Sequence, residues 1–280
     1  MTLHFDGKRA WQQTADVVAL GVRAPGTDGH QRAVDLIVAR LKALGLNPRQ
    51  QQFTARTPDG SMPMVNVLAT IPATEPGTGT VMVAAHYDTK IFKDFTFVGA
   101  NDGGSGTGAL LELGRALLAA PRRTMDVTLV FLDGEEAFRD WSNTDSLYGS
   151  RFLARSMSDD GSLRSVKAFI LMDMIGDADL LIVKDGHSTP WLRDLVWRTA
   201  AQLGFAQHFG SDTMAVEDDH LPFVKRGVPG VLLIDFSYGL RGTNGYWHTA
   251  ADTMDKISAD SLGRVGLVVE AVVLQLIAKQ

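Results

Sequence analysis

The sequence contains no cysteine among its 280 residues. Disulfide bridges, thiolate metal sites and a cysteine nucleophile are therefore all excluded. A transition metal, if the chain binds one, must be held by histidine and carboxylate side chains. The lack of cysteine leaves the cellular compartment open, because proteins without disulfides occur in reducing and oxidising compartments alike.

An excess of positive charge is also lacking. The chain has 27 Lys and Arg residues against 32 Asp and Glu residues, which gives a net charge of −5. Its basic residues form no cluster along the sequence. Because nucleic-acid binding depends on neutralising phosphates, a nucleic-acid partner is not expected.

The chain has no long uninterrupted hydrophobic run. Its longest apolar stretch, VGLVVEAVVLQLIA at residues 265–278, is broken by Glu270 and Gln275. This stretch predicts a helix that faces the core, and no membrane span is expected. The first residues, MTLHFDGKRAWQQ, lack the apolar centre of a signal peptide. A periplasmic or secreted location is therefore expected only if a leader has been trimmed, and a cytoplasmic one otherwise.

Hydrophobic residues make up 45% of the chain, enough for a sizeable core. Strand-like and helix-like segments alternate without a low-complexity linker, which predicts one α/β domain over residues 1–280 with a largely parallel sheet. Buried strands are predicted within residues 79–89, 125–136, 166–176, 178–186 and the second half of 218–236. Helices are predicted at residues 28–46, 106–121, 146–157, 189–204 and 258–277. Trp191 and Trp197 are expected to face the core.

Three predicted strands end in turns that carry acidic residues: HYDT at 86–89, DGEE at 133–136 and DMIGD at 173–177. In open α/β sheets, ligands bind in the crevice beyond the carboxyl ends of the strands. Side chains that are far apart in sequence are therefore expected to converge there. This expectation favours a functional site over three unrelated solvated turns.

The candidate residues are all histidines and carboxylates, which zinc accepts as nitrogen and oxygen ligands. They are His86, Asp88, Asp102, Glu135, Glu136, Asp173 and His248. The adjacent pair Glu135 and Glu136 permits a division of labour, in which one carboxylate binds the metal and its neighbour moves protons. His4, His30, His187 and His208 lie outside any motif and are expected at structural or surface positions.

A competing motif is GSGTGA at residues 104–109, which fits the loose G-x-G-x-x-A dinucleotide fingerprint. That fingerprint should follow a strand directly, whereas seventeen residues, HYDTKIFKDFTFVGAND, separate this match from the nearest predicted strand core. The glycines are instead expected to let the backbone pass close to a metal site and to start a helix.

These motifs, in this order, resemble the glutaminyl-peptide cyclotransferases, zinc enzymes built on the fold of the zinc aminopeptidases. The resemblance is carried by AHYDTK, FVGANDGGSGTGALLELGRAL, FLDGEEAFRDWSNTDSLYGSR, LMDMIGD, EDDHLPFVKRGVP and YWHT. It runs from about FDGKRAW to the last helix. It implies a three-layer α/β/α sandwich around a mixed, mostly parallel, twisted sheet. The missing cysteine pair of the secreted animal enzymes suggests a bacterial member.

The resemblance also implies roles for single residues. Asp102, Glu136 and His248 would be the ligands of one zinc ion, and Glu135 the general acid and base. Asp173 and Asp218 would form an acidic pair that shares a proton, the alternative for Asp218 being a helix cap. His86 corresponds to a second-metal ligand of the peptidases.

The same resemblance implies a substrate pocket. Trp141 and Trp247 would line it, and Glu217 and His220 would lie beside the substrate. Glu217 stands where the animal enzymes carry glutamine. A further pocket aromatic has no clear match, and Phe236, Tyr238 and Tyr246 all remain candidates. The expected partners are peptides or proteins with an N-terminal glutamine, which would cyclise to pyroglutamate with loss of ammonia, and a monomer is expected.

Two other functions remain open from the sequence. The first is an aminopeptidase with two zinc ions, in which His86 and Asp173 hold the second metal and Glu135 activates a metal-bound water. The second is a binding module without catalytic activity on the same fold. The segments W...DSLYGSR and DDH favour the cyclotransferase over the peptidase.

Overall fold

The computed structural model describes residues 2–75, 77–120, 122–239 and 243–278. The longer helices are α1 (Gly7–Val18), α2 (Asp28–Ala43), α3 (Gly106–Leu118), α4 (Tyr148–Asp159), α5 (Pro190–Gln202) and α7 (Ala259–Ile277), with a short α6 (Leu221–Val224) before the last strand. The strands are β1 (Arg49–Thr57), β2 (Gly60–Ile71), β3 (Thr80–His86), β4 (Asp126–Leu132), β5 (Val166–Asp173), β6 (Ile182–Asp185), β7 (Phe209–Met214) and β8 (Gly230–Ile234).

Six strands form the central sheet in the order β1-β2-β4-β3-β5-β8. The four strands β4, β3, β5 and β8 are parallel, and the hairpin β1-β2 adds an antiparallel edge next to β4. The predicted mixed, mostly parallel sheet is therefore confirmed. β6 and β7 pair with each other in a separate two-stranded sheet, so the strand predicted at 178–186 exists but lies outside the central sheet.

Alternate side chains of the parallel strands pack on opposite faces of the sheet. Val81, Val83 and Ala85 of β3 belong to a core that includes residues of α2, α3, α5 and α7. Met82 and Ala84 belong to a second core with Leu153 of α4 and Phe223 of α6. A period of two along each strand thus supplies both cores, as expected when helices cover both faces. The three-layer sandwich is confirmed.

Three elements are absent from the sequence-based prediction: helix α1, the hairpin β1-β2 and strand β7. The strand β1 reads RQQQFTART, and Gln51 is its only buried residue apart from Ala55. An edge strand with one exposed face carries a weak hydrophobic pattern, which explains the omission. The hairpin turn is Pro58-Asp59, between the paired residues Thr57 and Gly60.

The expectation that Trp191 faces the core is wrong, because its side chain is 48% exposed. Trp197 packs against the first core, with its ring centroid 5.5 Å from that of Phe209. The two tryptophans are six residues apart, which places them on different sides of an α-helix. No helix in the described part of the chain is long and apolar enough to cross a bilayer.

Candidate active site and metal centre

The carboxyl ends of the parallel strands open into a cavity of about 470 Å³. Most of the residues predicted for the site line this cavity: Asp102, Glu135, Glu136, Trp141, Asp173, Glu217, Asp218, Trp247 and His248. They come from chain segments that follow β3, β4, β5 and β7 and from the loop after β8. The convergence expected from the acidic strand ends is therefore present.

Three side chains at the base of the cavity form a compact group. His248 Nε2 lies 3.2 Å from Glu136 Oε1 and 3.3 Å from Asp102 Oδ2. One potential ligand atom from each residue lies within 4.8 Å of the others. Glu136 Oε2 is buried and has no hydrogen-bond partner in the part of the chain that the structure describes. Because a buried carboxylate oxygen needs a donor or a cation, this nitrogen and oxygen donor set fits a divalent metal such as zinc.

The protonation of this group also fits a metal site. Burial opposes the charged form of His248, but its bonds to Asp102 and Glu136 raise its pKa to about 10. Burial and the charge of Asp102 raise the pKa of Glu136. His248 therefore carries a proton near neutral pH. A metal ion would displace this proton, since metal ligands bind in their deprotonated form.

A second group adjoins the first through Asp102. His86 Nε2 lies 3.1 Å from Asp173 Oδ1 and 3.3 Å from Asp102 Oδ1, and all three side chains are buried. Burial opposes the charged form of His86, yet the charge of Asp173 and bonds to the neighbouring carboxylates raise its pKa well above the ordinary value. A protonated His86 can neutralise these carboxylates, and the same three side chains have the spacing to hold an ion instead.

Asp88 fixes the turn that carries the two glutamates. Its Oδ1 accepts a hydrogen bond from the Glu135 backbone N–H at 3.1 Å, and its Oδ2 accepts one from the Glu136 N–H at 3.2 Å. Asp88 follows strand β3, which is the parallel neighbour of β4. One buried carboxylate thus holds both peptide units, so that Glu136 contacts His248 while Glu135 stays outside the candidate metal group.

Glu135 lines the cavity and is 7% exposed. Burial raises its pKa well above the ordinary value, and the charges of Glu136 and Asp218 act in the same direction, whereas His86 opposes them. A carboxyl group with a raised pKa can accept a proton and return it near neutral pH. Glu135 therefore has the environment of a general acid and base.

Asp102 lies in a tight turn, Ala100–Ser105, directly before α3. Gly103 in this turn has a φ of +76°, and a Cβ added there would lie 2.6 Å from the Asp88 carbonyl oxygen. Asp252 holds the turn by accepting hydrogen bonds from the N–H groups of Asn101 and Asp102, at 2.7 and 3.2 Å. Gly103 directly precedes the 104–109 motif, in which a Cβ added to Gly106 would lie 2.4 Å from the Met172 carbonyl oxygen. Gly106 also begins α3, so this glycine permits a close backbone approach and starts the helix, as expected.

Arg23 is a buried residue that holds the loops around the site, and the sequence analysis missed it. Its guanidinium is fully buried and donates hydrogen bonds to the carbonyl oxygens of Tyr87, Val98 and Gly99, at 2.8, 2.7 and 3.0 Å. Burial lowers its pKa to about 10, against the opposing charges of nearby aspartates that include Asp252. Arg23 lies in a segment with no motif, so no local signal marks it.

Asp173 and Asp218 both line the cavity but are not hydrogen-bonded to each other. Asp218 Oδ1 accepts a bond from the Asp219 N–H at 2.6 Å, and Asp218 Oδ2 has no partner among the described residues. Burial raises the pKa of Asp218 well above its ordinary value, and the charges of Asp173 and Asp219 add to this effect. These effects favour the protonated form of Asp218, although the hydrogen bond expected for a proton shared with Asp173 is not formed.

Aromatic side chains form the walls of the cavity. The ring of Trp247 stacks on His248 with centroids 4.0 Å apart, and Phe236 lies beside it at 5.3 Å. Trp141 is 40% exposed at the rim, where its indole Nε1 donates to Glu217 Oε2 at 3.1 Å. Among the three candidates for a further pocket aromatic, Phe236 lines the cavity. Residues 240–242 of this loop lie outside the described residues.

The two tyrosine candidates have other positions. Tyr238 is fully buried and donates its hydroxyl to Asp252 at 2.7 Å, and Tyr246 packs edge-on against Tyr238. Two phenylalanines that the sequence analysis did not consider, Phe92 and Phe97, pack on His248 with centroid distances of 5.6 and 5.7 Å. They follow the HYDTK motif, but phenylalanine in a loop carries no specific signal.

The structure does not bring His220 into the cavity. His220 is fully buried, and its Nε2 lies 3.0 Å from Asp185 Oδ2. Asp185 Oδ1 accepts a hydrogen bond from the Val216 N–H at 3.1 Å. Through Asp185, His220 therefore supports the segment that carries Glu217 and Asp218, on the side away from the cavity. Substrate contact was predicted for His220 only because it lies close to these two residues in sequence, and this prediction is wrong.

The sequence of this chain is similar to those of known proteins. The model of peptidase family M28 matches residues 66–273. The mouse protein named glutaminyl-peptide cyclotransferase-like protein is 34% identical over 278 residues, and the match covers 89% of this chain and 70% of the mouse protein.

Two solved structures show how far the similarity extends. The glutaminyl cyclase of an Acidobacteriales bacterium is 42% identical with a TM-score of 0.94, and the match covers 100% of this chain and 97% of that one. A Zn-dependent exopeptidase from Parabacteroides distasonis is 27% identical with a TM-score of 0.85, over 96% of this chain and 98% of that one. The fold is thus common to both kinds of enzyme, and the sequence is more similar to the cyclase.

Proposed function

Since the chain belongs to peptidase family M28 and, within it, to the glutaminyl-peptide cyclotransferases, a group of acyltransferases, we propose that it cyclises the N-terminal glutamine of peptides or proteins to pyroglutamate with the help of one zinc ion. The observation that carries this proposal is the separation of the twin glutamates. Glu136 contacts His248 in the candidate metal group, whereas Glu135 faces the cavity with a raised pKa.

Asp102, Glu136 and His248 are the residues that would hold the metal. Bound zinc would polarise the γ-amide carbonyl of the substrate and stabilise the negative charge that develops on its oxygen. The aromatic walls, Trp247 and Phe236, offer an apolar surface to the methylene groups of the glutamine side chain. Water is displaced from such a surface, which strengthens the electrostatic interactions inside the cavity.

The reaction joins the substrate's α-amine nitrogen to the γ-amide carbon, and the bond from that carbon to the amide nitrogen breaks. Glu135 accepts one proton from the attacking amine and donates it to the departing amide nitrogen, so that neutral ammonia leaves. The nucleophile is already tethered to the electrophile, and the enzyme has little to gain from bringing the groups together. Its contribution is charge stabilisation, proton transfer and a cavity that holds the bent glutamine.

Asp218 supports the substrate amine in this proposal. Burial and the charges of Asp173 and Asp219 raise the pKa of this carboxyl group well above its ordinary value. An amine placed beside Asp218 and Asp173 lies in an acidic environment, which favours its binding. Glu217 adds a further carboxylate at the rim, next to Trp141.

The second candidate function is an aminopeptidase with two metal ions. It is favoured by one observation, the spacing of His86, Asp102 and Asp173, which suits a second ion. The Zn-dependent exopeptidase from Parabacteroides distasonis has the same fold. We place this candidate second because the relatives named as cyclases are more similar in sequence.

A pair of peptides that differ only in the first residue, glutamine or leucine, distinguishes the two functions. Purified protein is incubated with each peptide, with and without a chelator, and the products are read by mass spectrometry while the metal content is measured in parallel. We expect the glutamine peptide alone to lose the mass of one ammonia, chelation to stop the loss, and one zinc per chain. Removal of the whole first residue with two metals per chain would establish the peptidase instead.

A further inference from the structure

A second concavity of about 310 Å³ adjoins the active-site cavity on the outer surface. Its lining includes four cationic side chains, Arg151, Arg155, Lys225 and Arg226, and one carboxylate, Glu217. We refer to it as the basic groove. Its charge is unusual for this protein, because the chain as a whole has a net charge of −5.

The basic groove is continuous with the active-site cavity. Glu217 lines both, and Ser142 of the groove follows Trp141 of the cavity directly in the chain. The hydrogen bond from Trp141 Nε1 to Glu217 Oε2 forms the shared rim between them. A peptide that leaves the cavity over this rim therefore enters the groove.

The cations of the groove are available for a ligand. Arg155 has an ion-pair partner, Asp159 at 3.7 Å. Arg151, Lys225 and Arg226 have no carboxylate at ion-pair distance among the residues that the structure describes. Three positive charges without an ion-pair partner among the described residues attract anionic groups, although Arg151 also feels the more distant charges of Asp219 and Asp145. The single carboxylate that lines the groove, Glu217, accepts a hydrogen bond from the Trp141 indole.

Two of these cations are also held in place before any ligand binds. The Arg151 guanidinium lies 5.1 Å from the centroid of the Tyr148 ring and donates to the Asn143 carbonyl oxygen. Arg226 donates from Nη1 to the Pro222 carbonyl oxygen at 2.8 Å. An arginine that is already ordered loses less side-chain entropy on binding and keeps donors free for a carboxylate.

We propose that the basic groove is a substrate subsite that selects peptides with acidic residues a few positions after the N-terminal glutamine. The inference rests on the proposed function, which places that glutamine in the cavity. An extended chain advances about 3.3–3.6 Å per residue, so the third to fifth residues of the substrate lie about 7–14 Å beyond the glutamine, and we assign them to the groove. Aspartate or glutamate at these positions would meet Arg151, Lys225 and Arg226.

Matched peptides test this proposal. All begin with the same glutamine dipeptide, and residues three to five are acidic, neutral or basic in otherwise identical sequences. From the usual strength of exposed ion pairs we expect kcat/KM to rise about 1.4- to 5-fold for each acidic residue that meets a cation, and to fall for basic ones. The preference should shrink toward unity at about 0.5 M salt, because the screening length falls to about 4 Å, which is comparable to the separation of an ion pair.

Charge-reversal variants test whether the basic groove causes the preference for acidic peptides. In the variant Lys225→Glu with Arg226→Glu, the ratio of kcat/KM between acidic and neutral peptides should fall to one or below. The control Lys42→Glu with Arg198→Glu makes the same change in net charge at exposed positions on α2 and α5, on the opposite face of the sheet. The control should retain the wild-type ratio.

The possible results distinguish a failure of the subsite from a failure of the proposed function. Cyclisation of all glutamine peptides at equal rates, or a preference that the control also abolishes, would overturn the basic groove as a subsite and leave the proposed function intact. No pyroglutamate from any peptide would overturn the proposed function and the subsite with it. The affinity of the peptides for a Glu135→Gln variant, measured by fluorescence anisotropy, provides a readout that does not depend on turnover.

Discussion

The proposed chemistry depends on two adjacent residues that have different environments. Glu136 lies 3.2 Å from His248 in the candidate metal group, while Glu135 lines the cavity outside that group. Asp88 maintains this difference by accepting one hydrogen bond from each of the two peptide N–H groups. A pair of carboxylates in one turn can thus divide into a ligand and a proton carrier because the backbone between them is fixed.

We predict that Glu135→Gln abolishes proton transfer and leaves the metal bound. Loss of a general acid and base typically lowers kcat by about 10²- to 10⁴-fold. Zinc content, measured by elemental analysis after dialysis, should remain at the wild-type level. The matched variant Glu136→Gln should lose zinc. Equal loss of metal from both variants would contradict the division of roles.

At the scale of secondary structure, the site is assembled where parallel strands end. β4 leads into the loop that carries Glu135 and Glu136, β5 ends at Asp173, and the turn before α3 brings Asp102 to the same cavity. These loops approach each other so closely that side chains cannot fit between them, as the space around Gly103 shows. The precision of the metal group therefore depends on the backbone of the loops.

We predict that Gly103→Ala damages both stability and metal binding. Its positive φ costs about 1 kcal/mol for a residue with a side chain, and the added methyl would also lie 2.6 Å from the Asp88 carbonyl oxygen. The sum should reach about 2–4 kcal/mol in the free energy of unfolding, as for other overpacked sites. Urea titration and zinc content together measure the effect.

Gly21→Ala is the matched control for that variant. Gly21 has a similar φ of +77°, but among the residues that the structure describes no heavy atom lies within 4 Å of the position of an added Cβ. It should cost about 1 kcal/mol from the backbone alone and leave zinc binding unchanged. Equal losses in the two variants would mean that the close approach at Gly103 has no energetic role.

Arg23 connects three loop carbonyls at the same end of the sheet. We predict that Arg23→Met lowers the free energy of unfolding by about 3 kcal/mol, because the buried carbonyl oxygens of Tyr87, Val98 and Gly99 lose their donors. Arg23→Lys keeps the charge but not the forked donors, so it should recover only part of this loss. Urea titration of both variants measures the change in the free energy of unfolding. An Arg23→Met protein as stable as the wild type would contradict this role of Arg23.

For the molecule as a whole, the concentration of buried carboxyl groups at one end of the sheet has consequences for stability. Burial raises the pKa of Asp219 to about 7 and that of Asp235 to about 6, both from an ordinary value of 3.8. The folded state therefore binds more protons than the unfolded state between these values. The contribution of these two groups to the free energy of unfolding is fully present below about pH 4, and it is lost as the pH rises through 6 and 7.

We predict that the chelated protein becomes less stable between pH 5 and pH 8, and that Asp219→Asn reduces this loss. With about 1.4 kcal/mol for each pKa unit, Asp219 should account for roughly 2–3 kcal/mol of the change. Urea titrations of both proteins at constant ionic strength, with chelator present so that metal binding does not contribute, provide the measurement. Parallel profiles for the two proteins would show that Asp219 is not the group responsible.

The sequence by itself determined the class of fold and most residues of the site. The motifs at 86–89, 133–136 and 173–177 could be recognised because each is a short segment in which a buried strand meets an acidic turn. The general rule for parallel sheets then predicted that they converge, and they do. The edge hairpin β1-β2 was not predicted, because a strand with one exposed face lacks a strong hydrophobic pattern.

Only the tertiary structure decided the partners of single side chains. His220 lies close in sequence to two residues of the cavity, yet its side chain contacts Asp185 outside the cavity. Arg23 lies far in sequence from the loops whose carbonyl oxygens it binds. The basic groove combines cations of α4 with cations that follow α6, so no cluster is visible along the chain. Local periodicity reports which face of an element is buried, whereas contacts between distant segments depend on how the elements pack, and that information is spread over the whole chain.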